Sequence, residues 1–198
     1  MAERHLNRLK LADVDWSLME SWRERGEIRA EGVSLEHFQD VPEEVLEEFC
    51  RLYTETSSSA PSGDLAGEFL VTPSKRREVE RETRENGTEW HTLISREADG
   101  TISGMTETFW SAAAPHRIEQ ELTGVRAKYR GRGLGKWIKA EMLFFIKDRY
   151  PEAGVVDTGN ADKNAPMMSI NERMGFGNHL SQAFFKFEMK ELGERLGI

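Results

Sequence analysis

Three glycines at alternate positions, Gly131, Gly133 and Gly135, interleave with Arg130, Arg132, Leu134 and Lys136 in a 198-residue chain. Glycine lets a backbone turn through left-handed conformations and approach a ligand closely. An apolar stripe of helical period begins at Leu134, so the glycines sit where a helix starts and unpaired N–H groups face outward. That arrangement suits a pyrophosphate. An ATP-type P-loop does not fit, because Gly131 stands too close to the Gly135-Lys136 pair and Trp137 replaces the required hydroxyl. A dinucleotide fingerprint needs a wider gap before its third glycine and an early place in the chain.

A second constellation lies upstream. Arg117 to Arg126 reads as a strand, with Ile118 and Leu122 expected on one face and Glu119, Glu121, Thr123 and Val125 on the other. Two carboxylates on one face can bind a cation or take a proton. His91, His116 and His179 are isolated and show no metal-ligand spacing, and Cys50 is the sole cysteine, so no disulfide or multi-cysteine zinc site is possible within the chain.

The elements that must position these groups follow from periodicity. Residues 1 to about 30 read as a charged helical extension in which Asp15 caps a helix that Gly26 stops. Its Trp16, Met19 and Trp22 are too apolar for a free tail and should dock on the domain or on a partner chain, so a homodimer is one expectation. A strand over 32–38 precedes a helix entered through Asp40-Val41-Pro42-Glu43, and the Ser-rich run from Ser57 to Asp64 reads as a loop. Thr72-Pro73 opens a second, almost wholly charged helix that Asn86-Gly87 ends. Two strands, Thr88 to Arg96 and Thr101 to Trp110, join through Asp99-Gly100, and the carboxylate strand follows. Gly133 to Tyr150 is the strongest helix. A strand over 153–158, a helix over 164–174 and a strand over 184–189 complete the chain.

The net charge of −8, from 35 acidic and 27 basic residues, gives no general reason to bind nucleic acid and suits a small cation better. No apolar window is long enough for a membrane span, and the polar start leads into a charged segment rather than a signal core. A cytoplasmic protein is expected.

Arg130, Gly133 and Gly135, between a strand and an amphipathic helix, resemble the coenzyme A motif of the GNAT superfamily of acyltransferases. The likeness extends through Asp157-Thr158-Gly159-Asn160, Asn164 and Ile170-Asn171-Glu172-Arg173-Met174-Gly175-Phe176, covering residues of about 32 to 190. Single domains of bacterial tandem GNAT proteins, mycothiol synthase-like ones among them, share the Lys-Ala pair of the long helix and the later Asn-Glu-Arg run. The resemblance implies an α/β fold with a mixed, mostly antiparallel sheet of six to seven strands flanked by about four helices. Residues 31–198 would form the acetyltransferase domain and residues 1–30 would stand in place of an inter-domain linker.

It further implies acetyl-CoA as cofactor and an N-acetyltransferase that acts on a primary amine of a small molecule or amino sugar by direct attack. A CoA-binding module without turnover and a protein lysine or N-terminal acetyltransferase are the alternatives. Backbone groups of Val125 and Ala127 would pair with the pantetheine arm. Backbone N–H groups across Arg130, Gly131, Arg132, Gly133, Leu134, Gly135 and Lys136 would hold the pyrophosphate. Asn164 would reach the pantetheine, with Asn160 also among the cofactor-binding residues. The Arg132 and Lys136 side chains read equally as surface charge. An ammonium of pKa about 10.4 must lose a proton before attack, which makes Glu119, and after it Glu121, the implied bases. Many members place a tyrosine where this chain has Asn171, and an amide donates a hydrogen bond but not a proton. Tyr53 is the remaining candidate acid.

Overall fold

The computed structural model describes residues 2–59, 70–160 and 165–184. Among these residues seven strands form one sheet in the order β2-β3-β4-β5-β6-β1-β7. The strands are β1 (Ala2–Lys10), β2 (Ser34–Phe38), β3 (Thr88–Arg96), β4 (Ile102–Ser111), β5 (Arg117–Val125), β6 (Val155–Asn160) and β7 (Gly177–Phe184). Five helices accompany them: α1 (Trp16–Arg29), α2 (Glu43–Ser59), α3 (Pro73–Glu85), α4 (Leu134–Arg149) and α5 (Ala165–Met174). Every neighbouring pair is antiparallel except β5 and β6. The expected mixed, mostly antiparallel sheet is therefore what the chain forms.

The N-terminal segment departs from its expected helical character. Residues 2–10 form β1, which lies between β6 and β7 and pairs with both. Leu9 is fully buried there, and Arg8 donates two hydrogen bonds, of 2.6 and 2.7 Å, to the buried Asp157 carboxylate opposite it. Beyond it, Asp15 caps α1 as expected, its side chain accepting from the Leu18 N–H at 2.9 Å. Gly26 does not stop the helix, which runs on to Arg29. It lies against α4 instead, where an added Cβ would come within 2.4 Å of the Trp137 ring.

Apolar side chains bury on both faces of the sheet. Met19 and Trp22 of α1 join Leu9, Leu93, Ile118 and the inward face of α4 in one cluster, so α1 docks on the domain itself. Leu46, Phe49 and Leu52 of α2 meet Ile94, Ile102 and Met105 in the other. The charged α3 is not solvated all round: Arg76 and Glu80, four residues apart, share its buried face. Ser57 to Ser59, expected in a loop, lie in the last turn of α2, and the rest of that run is outside the described residues. The strand expected over 184–189 lies outside them apart from Phe184, the last residue of β7, whose other residues were not expected as a strand.

Candidate active site at the divergence of two parallel strands

β5 and β6 pair from Arg117↔Val155 to Gln120↔Thr158, and among the described residues the rest of β5 has no strand on that side. A β-bulge sits at the same level. Thr106 pairs with Thr123 and Thr108 with Gln120, so Glu121 and Leu122 together face Glu107. The bulge inverts the alternation that the sequence suggests. Ile118 packs toward α4 while Leu122 packs with α2, so these two do not share a face. Thr123 and Val125 likewise turn to the α4 side, where Thr123 bonds Thr106 and Val125 packs near Leu134 and Trp137.

Past the bulge a cleft of about 370 Å³ opens. Thr123, Gly124 and Val125 form one wall, Met167 and Ile170 of α5 another, and the glycine turn its end. Gly131 and Gly133 take φ of +83° and +90°, and an added Cβ at either would meet nothing within 4 Å, so both face open space. Gly133 caps α4 in the left-handed conformation. Its carbonyl accepts from the N–H groups of Lys136 and Trp137, and Arg130 N–H goes to the Ala127 carbonyl. The two ends of the expected cradle are thus used internally. Among the described residues, no backbone hydrogen bond of the turn uses the N–H of Gly131, Arg132, Gly133, Leu134 or Gly135, which leaves five donors at a helix start.

Arg130 Nε donates to the Val125 carbonyl at 2.9 Å, and Ala127 lies in a 3-10 turn after β5. The Arg132 guanidinium is bound to Glu97, at 2.8 and 2.9 Å, and ties the turn to the β3–β4 hairpin. Leu134 packs its side chain in the core and offers its backbone alone. Lys136 is held below its ordinary pKa by burial and then by Arg173, Arg29 and Arg25. Arg29 also lines the cleft, so α1 adds positive charge to its wall. Asn160 ends β6 opposite His5, and Asn164 lies outside the described residues.

The two candidate bases are not equivalent. Glu119 faces Asp157 in the paired part of β5 and is bound by Arg117. Glu121 lies one residue past the last rung and acts electrostatically on Tyr53 of α2. The Tyr53 hydroxyl is pushed far above its ordinary pKa by burial and then by Glu107 and Glu121, which keeps it protonated. Glu107, absent from the sequence reading, is fully buried beside them. Its Oε1 accepts from Arg76 at 2.8 Å and from Thr92 at 2.7 Å, while Oε2 has no hydrogen-bond partner. Burial raises its pKa against the opposing pull of Arg76. The Arg76 guanidinium lies 3.6 Å from the Trp90 ring centroid, and Trp90 packs on Phe109. This acidic, aromatic ground on the α2–α3 side is filled by the Arg76 guanidinium.

Asn171 is not brought to the cleft. Ile170 and Met167 face it, whereas Asn171 and Met168 line a separate hollow with His5 and Asn7 of β1. His91 is buried packing whose Nε2 lies 2.6 Å from the Tyr150 hydroxyl, and among the described residues no group of side chains could hold a metal ion. The sequence reading also missed Lys139, fully buried in α4 among apolar neighbours. Its signal was a lysine next to Ile138 on a stripe that is otherwise apolar.

Solved structures named as GNAT proteins or acetyltransferases share this fold. Among solved structures, a tandem GNAT protein from the clavulanic acid biosynthesis pathway, without acetyl-CoA, superimposes with a TM-score of 0.68 at 22% identity over 90% of this chain. The chain spans 51% of that protein's length. A putative acetyltransferase from Salmonella typhimurium, with its cofactor acetyl-CoA, gives 0.56 at 16% identity over 72% of this chain and 78% of its own. A ribosomal-protein-alanine N-acetyltransferase from Brucella melitensis gives 0.57 at 20% over 73% and 84%. No family model and no curated protein matches the chain by sequence.

Proposed function

We propose that the chain binds acetyl-CoA in this cleft and transfers the acetyl group to a primary amine of a small molecule or amino sugar. The carrying observation is the turn at the start of α4, where five N–H groups make no backbone hydrogen bond among the described residues and two left-handed glycines line a cleft that Arg29 and Lys136 also line. Such a site favours phosphate by hydrogen bonding, helix dipole and charge together. Solved neighbours named as acetyltransferases, one with acetyl-CoA, support the same reading. In the reaction the amine nitrogen attacks the thioester carbonyl, Glu121 takes its proton, and the C–S bond breaks with its electron pair on sulfur. Gly133→Glu tests the assignment, because it places a side chain and a negative charge among the phosphate donors. Calorimetry on the folded variant should show acetyl-CoA binding abolished, and an unchanged affinity would overturn the site. A CoA-binding module without turnover is the second reading, favoured by the position of Asn171 away from the cleft. Thiol release across a panel of amines separates the two.

A further inference from the structure

A row of hydrogen bonds runs from the middle of the molecule to the wall of the cleft, and its proposed use rests on the acetyl-transfer reading above. It begins at Lys139, whose Nζ lies over the Phe176 ring and donates to Gln120 Oε1 at 3.4 Å. The amide of Gln120 gives one hydrogen to the Glu107 backbone carbonyl at 2.9 Å and one to Thr106 Oγ1 at 2.8 Å. Both ends fix the amide's orientation, since a backbone carbonyl only accepts and Lys139 supplies the hydrogen at the other side. Thr106, Gln120 and Lys139 are all buried, so water does not compete for these positions. Thr106 Oγ1, having accepted from Gln120, lies 2.7 Å from Thr123 Oγ1. When its own proton goes to Thr123, the Thr123 hydroxyl is left to donate into the cleft that Thr123 lines.

The direction of the row has a chemical consequence. A thiolate leaving group, of parent pKa about 8.5, departs more easily when a hydrogen-bond donor meets it; Asn171 lines a separate hollow, and the tyrosine of the cleft lining, Tyr129, belongs to the 3-10 turn that leads into the phosphate cradle. We propose that Thr123 is the donor to the departing sulfur, and that Thr106, Gln120 and Lys139 are positioning residues that hold its hydroxyl in the donating sense. The balance is complete without a further reagent. The new C–N bond forms as the C–S bond breaks, the amine proton goes to Glu121, and sulfur keeps the electron pair while accepting the Thr123 hydrogen bond. The released thiolate then takes a proton from water.

Three variants test the row: Thr123→Val removes the hydroxyl at constant shape, Thr123→Ser restores it, and Gln120→Glu reverses the row. A carboxylate can only accept, so it draws the Thr106 proton inward and turns Thr123 away from the cleft, even though it meets Lys139 more strongly. Thr123→Val and Gln120→Glu should each lower kcat about 10- to 100-fold, with acetyl-CoA affinity by calorimetry within about threefold of wild type. Thr123→Ser should stay within about threefold in both. A readout that needs no acceptor is the ultraviolet absorbance of bound CoA at one fixed pH. The thiol's ionisation constant should be about tenfold larger on wild type than on Thr123→Val. Equal ionisation on the two proteins, or a wild-type kcat in Thr123→Val, overturns the proposal while leaving acetyl transfer standing. Failure of the wild-type chain to bind either CoA or acetyl-CoA overturns the acetyl-transfer reading itself.

Discussion

At the scale of single residues the proposed reaction depends on which carboxylate meets the amine. Glu119 is paired with Arg117 in the closed part of the sheet. Glu121 stands at the bulge, beside the place where the strands part. Glu121→Gln should therefore lower kcat by roughly 10²- to 10⁴-fold, the usual contribution of a general base, with acetyl-CoA affinity unchanged. Glu119→Gln should cost much less. Steady-state rates and calorimetry on both variants check the assignment, and the reverse order would return the role to Glu119. The sequence showed both carboxylates and their strand, but not the extra residue in β5 that leaves Glu119 in the paired ladder and sets Glu121 at the bulge, where it acts on Tyr53. The same bulge separated Thr123 from the glutamates and brought it to Thr106, which strict alternation forbids.

At the scale of elements, the helix starts were legible because capping is local, and the stops and the first strand were not. Asp15 marks the start of α1 through a hydrogen bond three residues away, whereas Gly26 serves a contact with a helix more than a hundred residues distant. β1 was hidden for a related reason. Leu6 and Leu9 are three residues apart and so cannot mark one face of a strand, and the residue that shifts the register beside Leu6 and Asn7, His179, belongs to β7. The charges of α3 concealed Arg76 and Glu80, which are buried because Glu107 and Val41 receive them across the fold. Gly26 offers a test of how closely α1 and α4 must approach. Alanine would gain about 1 kcal/mol in helix propensity, but its methyl would lie 2.4 to 2.6 Å from buried Trp137. Overpacking costs about 1–3 kcal/mol, so Gly26→Ala should unfold at a lower temperature than wild type. A raised melting temperature would show that the two helices can slide apart without loss.

At the scale of the whole molecule, the strand order past β5 could not be read from the sequence, because β1 enters between two strands from the far end of the chain. That insertion closes the sheet over the α4 side, where Leu9, Val156 and Phe176 join the core that surrounds α4. Lys139 is sealed within this interior, and its titration reports how dry the interior is. Burial alone, with no charged side chain acting on it, lowers the ammonium from 10.5 to about 7. Below about pH 7 both folded and unfolded chains carry the proton and the full cost of the buried charge is present. Between about pH 7 and 10.5 the unfolded chain holds a proton that the folded chain has released, so stability rises with pH across that window. Lys139→Met removes the titration at similar volume. Urea unfolding of both proteins at about pH 6.5 and about pH 9.5 should show the variant's advantage shrinking by roughly 3–4 kcal/mol toward the alkaline end. Parallel behaviour at the two pH values would mean that water or an anionic group reaches Nζ in the folded protein, and that the row ending at Thr123 does not begin in a dry core.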